Sequence, residues 1–305
     1  DWNISVDPRF NAMMGFDETE VREMFHYYQQ NDMLNGDVEA MIAEMKPWYD
    51  NYCFARKSLD DDRVFNCDMT LYYLRWQVDF HRAPEEMVDK NIRTDYSKLK
   101  MLARIDRDSV QEGDRMSTIE KIAAEGDIFV DLHTSFPAER ITDIDNFRSL
   151  LYYYGLLTMC GTRGDLIKMS IPNNCVREQY FGFLRDYYQK YSSIDLHYLN
   201  VMLTDMAYDG RWKPFFESVA QAYRENSAVR DAMEGERNLQ GFLKAYLALA
   251  SYYLVEPELE MNYGYCDFFL LPDKKRYPDV KHSYILELKY ATRTATDAEL
   301  EVQAL

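Results

Sequence analysis

The sequence predicts an α+β protein in two parts, a mainly helical body over residues 1–225 and a smaller helix-and-strand core over residues 226–305. Three observations predict it. Apolar residues recur at helical spacing in one segment after another as far as residue 224. The polar stretch 224–236 then breaks that pattern, and no Ser/Gly linker or repeat offers a better seam. Beyond it, one further helical pattern leads into short segments bounded by a turn tripeptide, which is how strands read.

The first helix opens at Asp17, with Glu20 three positions on, the capping-box pairing that satisfies orphan backbone donors at a helix start. Val21, Met24, Phe25 and Tyr28 then share one face. The same periodicity predicts helices over 38–50, 69–80, 95–105, 146–160, 175–192, 194–207 and 213–224. In the core, Leu239, Phe242, Leu243, Tyr246, Leu247, Ala250, Tyr253 and Leu254 follow i, i+3, i+4 spacing and predict an amphipathic helix over 237–254. Glu236 falls in its first turn, where the helix dipole favours a carboxylate, so simple capping accounts for it as well as chemistry does. Strands are expected over 258–261 and 265–271, around Asn262-Tyr263-Gly264, and over 284–290.

Composition limits what such a chain does. Its 305 residues are 47% apolar and 15% aromatic, ample for two buried cores, and its formal net charge is −17. A wide nucleic-acid-coating surface is excluded, because phosphate binding needs clustered Lys and Arg. Residues 229–305 carry 13 acidic against 9 basic residues, and Lys274, Lys275, Arg276 and Lys281 cluster there. That cluster reads as a solvated loop or as a local phosphate contact. Cys53, Cys67, Cys160, Cys175 and Cys266 are far apart and pair with no histidine at metal-ligand spacing, as expected of reduced thiols in a cytoplasmic protein. The five histidines are isolated as well. No apolar run approaches the roughly 18 residues that cross a bilayer, so no membrane partner is expected. No GxxxxGK[ST] phosphate loop occurs, and the chain begins at Asp1, as expected of a fragment of something longer.

The chemistry concentrates near the C-terminus. Along the strand expected over 284–290, side chains alternate, so Glu287 and Lys289 point the same way. If 265–271 pairs antiparallel with 283–289, matching the strand ends sets Asp267 opposite Glu287, with β-carbons roughly 4.5–5.5 Å apart. Two carboxylates at that span suit one divalent cation. A cross-strand salt-bridge network on a solvated sheet face explains Glu287 and Lys289 equally well.

Glu236, then Gly264-Tyr265-Cys266-Asp267, then Ile285-Leu286-Glu287-Leu288-Lys289 resemble the glutamate, aspartate and ExK elements of the PD-(D/E)XK nuclease superfamily. The resemblance implies a restriction-endonuclease-like core with a small mixed sheet, truncated here at its C-terminal end. It implies phosphodiester hydrolysis with Mg²⁺ or Mn²⁺, with Asp267 and Glu287 as metal ligands and the Leu288 carbonyl assisting. Lys289 and Glu236 would complete the catalytic set, and the partner would be DNA or RNA. Upstream, Trp48-Tyr49-Asp50-Asn51-Tyr52-Cys53-Phe54, Arg63-Val64-Phe65-Asn66, Tyr153-Tyr154-Gly155-Leu156-Leu157-Thr158 and Ile171-Pro172-Asn173-Asn174-Cys175-Val176-Arg177 resemble the second half of a bacterial AAA-ATPase-like family. Asn51, Cys53 and Cys67 depart from its pattern. This second resemblance implies a helical, lid-like region, with ATP bound only through an upstream half absent from this chain. By composition alone, Trp48, Tyr49 and Tyr52 read as core.

Overall fold

The computed structural model describes residues 4–61, 63–89, 96–103, 112–141, 143–189, 194–225, 236–261 and 264–288. By its contacts the chain divides into two units, Asp1–Ile122 with Gly126–Phe183, and Ala123–Glu125 with Leu184–Leu305. The division falls inside a helix, whereas the seam expected from composition is the polar stretch at 224–236. Two helices ahead of that stretch pack with the second unit.

In the first unit, helices α1 (Glu18–Gln30), α2 (Val38–Tyr49) and α3 (Cys67–Phe80) share one core. The expected capping box is present: the Asp17 carboxylate accepts from the Glu20 amide at 2.8 Å, and the Glu20 carboxylate accepts from the Asp17 amide at 3.0 Å. Asp37 and Asn66 cap α2 and α3 through their side-chain oxygens. Val21, Phe25, Met45, Tyr49 and Tyr73 are fully or almost fully buried between them. The Tyr49 hydroxyl donates to the Met87 carbonyl at 2.7 Å, so Tyr49 is a satisfied core residue, as composition suggested. A short ribbon joins β1 (Gly15–Phe16) to β2 (Phe65–Asn66). A side chain at Gly15 would stand 2.7 Å from the Val64 β-carbon and 2.8 Å from the Phe65 carbonyl, so the ribbon admits only glycine there.

The body is mainly helical, as expected, but it also holds strands that the sequence did not mark. Besides α4 (Tyr96–Ala103), α5 (Glu112–Glu125), α6 (Ile144–Tyr153) and α7 (Asn174–Tyr188), it holds an antiparallel sheet. Strands β3 (Asp127–Val130), β4 (Thr158–Arg163) and β5 (Leu166–Ser170) lie in the order β3-β5-β4. The helix expected over 146–160 therefore stops at Tyr153. Gly155, at φ +71°, turns the chain into β4.

Asp50 follows α2 and is 5% exposed, and its Oδ1 has no hydrogen-bond partner among the described residues. Burial raises its pKa above the usual carboxylate value, against the Asn51 amide and the positive charges of Lys46 and Arg63, which lower it; the Glu18 charge raises it further. A carboxyl whose folded pKa is raised destabilises the fold once ionised, and the penalty grows as pH rises from the unfolded value through the folded one. Asp50→Asn is therefore expected to raise the melting temperature at pH 7, with the gain vanishing in acid. Thermal melts of both proteins at several pH values check it, and a gain that persists in acid would refute the assignment.

In the second unit, α8 (Leu196–Asp209), α9 (Lys213–Glu225) and α10 (Glu236–Leu247) accompany an antiparallel sheet in the order β6-β7-β8. The strands are β6 (Tyr253–Met261), β7 (Gly264–Pro272) and β8 (Tyr284–Leu286). Phe242 of α10 packs its ring 5.1 Å from Tyr188 and 5.3 Å from Tyr223. Two cations, half-buried Arg185 and buried Lys244, finish helix ends, as carbonyls without intrahelical partners require. Arg185 donates to the Ala245 and Ala248 carbonyls at 3.2 and 2.7 Å, and the Lys244 ammonium donates to the Ala124 carbonyl at the end of α5.

Two expectations differ here. The helix expected over 237–254 ends at Leu247, and Tyr253 and Leu254 begin β6. Their helical spacing is coincidental, because Tyr253 pairs with Pro272 and Leu254 with Leu271 in the ladder. The expected mixed sheet is antiparallel throughout among the described residues. No described helix is long and apolar enough to cross a membrane.

Candidate active site

The ladder between β7 and β8 pairs Phe268 with Leu286, Phe269 with Ile285 and Leu270 with Tyr284. Carrying that register one step further sets Asp267 opposite Glu287, just past the end of β8. The chain does stay close at that step, because the Leu288 amide donates to Asp267 Oδ2 at 2.5 Å. Opposed residues hold their β-carbons about 4.5–5.5 Å apart, so both carboxylates fall within reach of one small cation.

Alternation along the strands divides the sheet into two faces. Phe268 and Leu270 are fully buried on one of them. On that face the Lys244 ammonium of α10 lies 5.4 Å from the Phe268 ring centre, and the Tyr284 hydroxyl donates to the Met206 carbonyl of α8 at 2.7 Å. Asp267, half-buried, and Glu287, exposed, belong to the other face with Leu254, Leu271 and Ile285, each partly solvent-exposed. The acidic pair therefore sits on the side of the sheet away from α8 and α10.

Glu236 is the first residue of α10. Its side chain lies outside the described residues, and so does Lys289. Glu236 precedes Lys244 by eight positions, about 12 Å of helix, so a role near Asp267 requires it to reach round the end of the sheet.

The basic loop between β7 and β8 is largely occupied with its own structure. Asp273 Oδ1 accepts from the Lys275 and Arg276 amides at 3.2 and 3.3 Å. The Lys274 ammonium donates to the Val280 carbonyl, the Arg276 guanidinium stands 4.0 Å from the Asp273 carboxylate, and the Lys281 amide donates to the Ala207 carbonyl at 3.3 Å. The loop also leaves from the far end of the hairpin. Asp273 is six residues along from Asp267, roughly 20 Å of strand. Of the four cations, Lys275 and Lys281 have neither of those structural side-chain duties and remain exposed.

Among the described residues, no three His, Cys, Asp or Glu side chains group to hold a metal. The donor chemistry of the pair nonetheless fits Mg²⁺ or Mn²⁺: two hard carboxylate oxygens, with one Asp267 oxygen held by the Leu288 amide and the other left to coordinate. Sequence reasoning assigned Leu288 only through its carbonyl. Its amide contact with Asp267 depends on the hairpin register and has no signal in residue type.

Residues 234–305 match the model of a family described as the PD-(D/E)XK nuclease superfamily. No curated protein and no solved structure matches the chain. The comparisons lend no support to an AAA-ATPase-like region. The match takes in Glu236, Asp267, Glu287 and Lys289 together, so the C-terminal part of the chain is similar to a PD-(D/E)XK nuclease superfamily domain.

Proposed function

We propose that this domain is a metal-dependent nuclease that hydrolyses phosphodiester bonds in nucleic acid. The observation that carries the reading is the register Phe268 to Leu286, closed by the Leu288 amide on Asp267, inside the segment that matches the nuclease family. Asp267 and Glu287 would hold Mg²⁺ or Mn²⁺, which lowers the pKa of bound water and offsets negative charge on the phosphoryl oxygens. Lys289 would orient the attacking water and stabilise the developing charge, and Glu236 would support the site through water. Hydrolysis forms a bond from the water oxygen to phosphorus and breaks the bond to the leaving oxygen, which takes up the proton. The AAA-ATPase-like phrases within residues 10–185 extend the reading to a nuclease coupled in the cytoplasm to an ATPase module.

A second reading, binding without cleavage, is favoured by one observation. Leu271, Ile285 and Leu254 are 42, 56 and 37% exposed on the face that carries the carboxylates, an apolar surface better suited to a protein partner than to phosphates. Incubating the 305-residue chain with plasmid DNA and with labelled RNA, in Mg²⁺, Mn²⁺ or chelator, separates the two. Metal-dependent nicking of either polymer is expected and identifies the substrate. Tight binding of either polymer without cleavage would establish the second reading with nucleic acid as the ligand, and neither binding nor cleavage would leave the protein partner that the apolar surface suits.

A further inference from the structure

The four upstream phrases, which the nuclease reading leaves unused, meet at one cavity of the first unit. It has a volume of about 530 Å³. Tyr52 and Phe54 come from the first phrase, Phe65 and Asn66 from the second, Tyr153 to Leu156 from the third, and Cys175 from the fourth. Residues more than a hundred positions apart thus form a single wall.

The wall is held rigidly. Asn11 Oδ1 accepts from the Phe54 and Ala55 amides at 2.7 and 3.0 Å, and the Tyr152 hydroxyl donates to the Phe54 carbonyl at 2.6 Å. The Cys53 amide donates to Thr158 Oγ1 at 2.7 Å, and the Asn51 side chain reaches the Pro172 carbonyl at 2.9 Å. The Tyr52 and Phe54 rings stack at 5.8 Å with planes 12° apart, and the Phe54 ring meets Tyr152 at 6.4 Å. A preformed, aromatic-lined cavity of this size is the usual form of a small-molecule site.

Gln179 of α7 also lines the cavity and is 8% exposed. Its amide has no hydrogen-bond partner among the described residues, and its polar atoms are not sealed from the cavity. A primary amide that opens onto a cavity offers a donor and an acceptor side by side to whatever enters it. The charged side chains on the wall are Asp68 and Lys98, one of each sign and neither buried. Burial, reinforced by the Glu178 charge, pushes the Cys175 thiol up to about 12, so it too is neutral near pH 7. Among the described residues no buried cation lines the wall to compensate a buried phosphate or carboxylate.

We propose that this cavity binds an uncharged, flat aromatic small molecule whose adjacent hydrogen-bond donor and acceptor pair with the Gln179 amide. The aromatic walls take the ring faces, and Gln179 reads the edge. The proposal is independent of the nuclease reading.

The test uses 2-quinolinone, a flat lactam with adjacent N–H and C=O, against N-methyl-2-quinolinone, which keeps the ring and carbonyl but lacks the donor. Affinities for the whole chain are measured by ligand-observed NMR titration. The lactam is expected to bind roughly tenfold tighter, the worth of one well-formed buried hydrogen bond. In Gln179→Met the two should bind alike, with the N-methyl compound unchanged from wild type. If Gln179→Met fails to fold, Gln179→Asn, which withdraws the amide by one methylene, reads the same contrast. Equal affinity of wild type for the two compounds, no binding of either, or a preference that survives the substitution would overturn the proposal.

Discussion

Asp267→Asn is expected to lower metal-dependent cleavage by about a hundredfold or more, since a metal ligand supports several kcal/mol of transition-state charge stabilisation. The substitution is nearly silent for the fold. Asparagine keeps a side-chain oxygen to accept the Leu288 amide, so what it removes is charge. Glu287→Gln should behave alike, because carrying the ladder one step past Phe268 and Leu286 sets Glu287 opposite Asp267. Lys289→Ala should abolish cleavage while leaving metal affinity nearly intact, because an ammonium orients and stabilises without ligating. Magnesium should raise the melting temperature of wild type and of Lys289→Ala in step with occupancy, and leave Asp267→Asn and Glu287→Gln unmoved. Without metal, the two opposed carboxylates repel each other, so either substitution should leave the apoprotein as stable or slightly more so. Cleavage retained in Asp267→Asn, or a magnesium shift common to all four proteins, would remove Asp267 and Glu287 from the metal site. In that case the pair is a polar sheet face and no more.

The carboxylate pair was readable in the sequence because it depends on local rules. Alternation along a strand and a hairpin with matched ends place Asp267 against Glu287 whatever lies elsewhere, and the ladder Phe268 to Leu286 follows that register. Helices with strong caps were readable for the same reason, as Asp17 and Glu20 show at the start of α1. Two helices end before their apolar periodicity does, where aromatic residues suit either period. Tyr153 to Thr158 and Tyr252 to Leu254 keep helical spacing, yet the chain turns at Gly155 in one case and enters a ladder opposite Pro272 in the other. The β3-β5-β4 sheet was missed because its strands depend on non-local pairing, such as Val130 with Ile167, which no window of sequence contains. The cavity was missed on the same ground. Its phrases stand out in the sequence, but only folding brings Tyr52, Asn66, Tyr153 and Cys175 to one wall, and nothing marks Gln179 among the polar residues of α7 until its place on that wall is seen.

The faces of the β6-β7-β8 sheet give the second large effect. Phe268→Ala is expected to destabilise the second unit by about 3–5 kcal/mol, the range for truncating a fully buried aromatic. Phe268 has no exposed surface and carries the Lys244 ammonium over its ring, so the truncation leaves a cavity and removes a contact from the cation that finishes α5. Ile285→Ala, one pair along on the opposite face and 56% exposed, should cost under about 1 kcal/mol. Urea titration reports both, read on the transition of the second unit, because two units can unfold separately. The contrast bears on chemistry as well as stability. Asp267 alternates with Phe268, so a buried Phe268 is what turns the Asp267 carboxylate away from α8 and α10 and toward solvent. If instead Ile285→Ala proved the costlier change, the faces would be exchanged, Asp267 and Glu287 would point into the core, and no cation or phosphodiester could reach them.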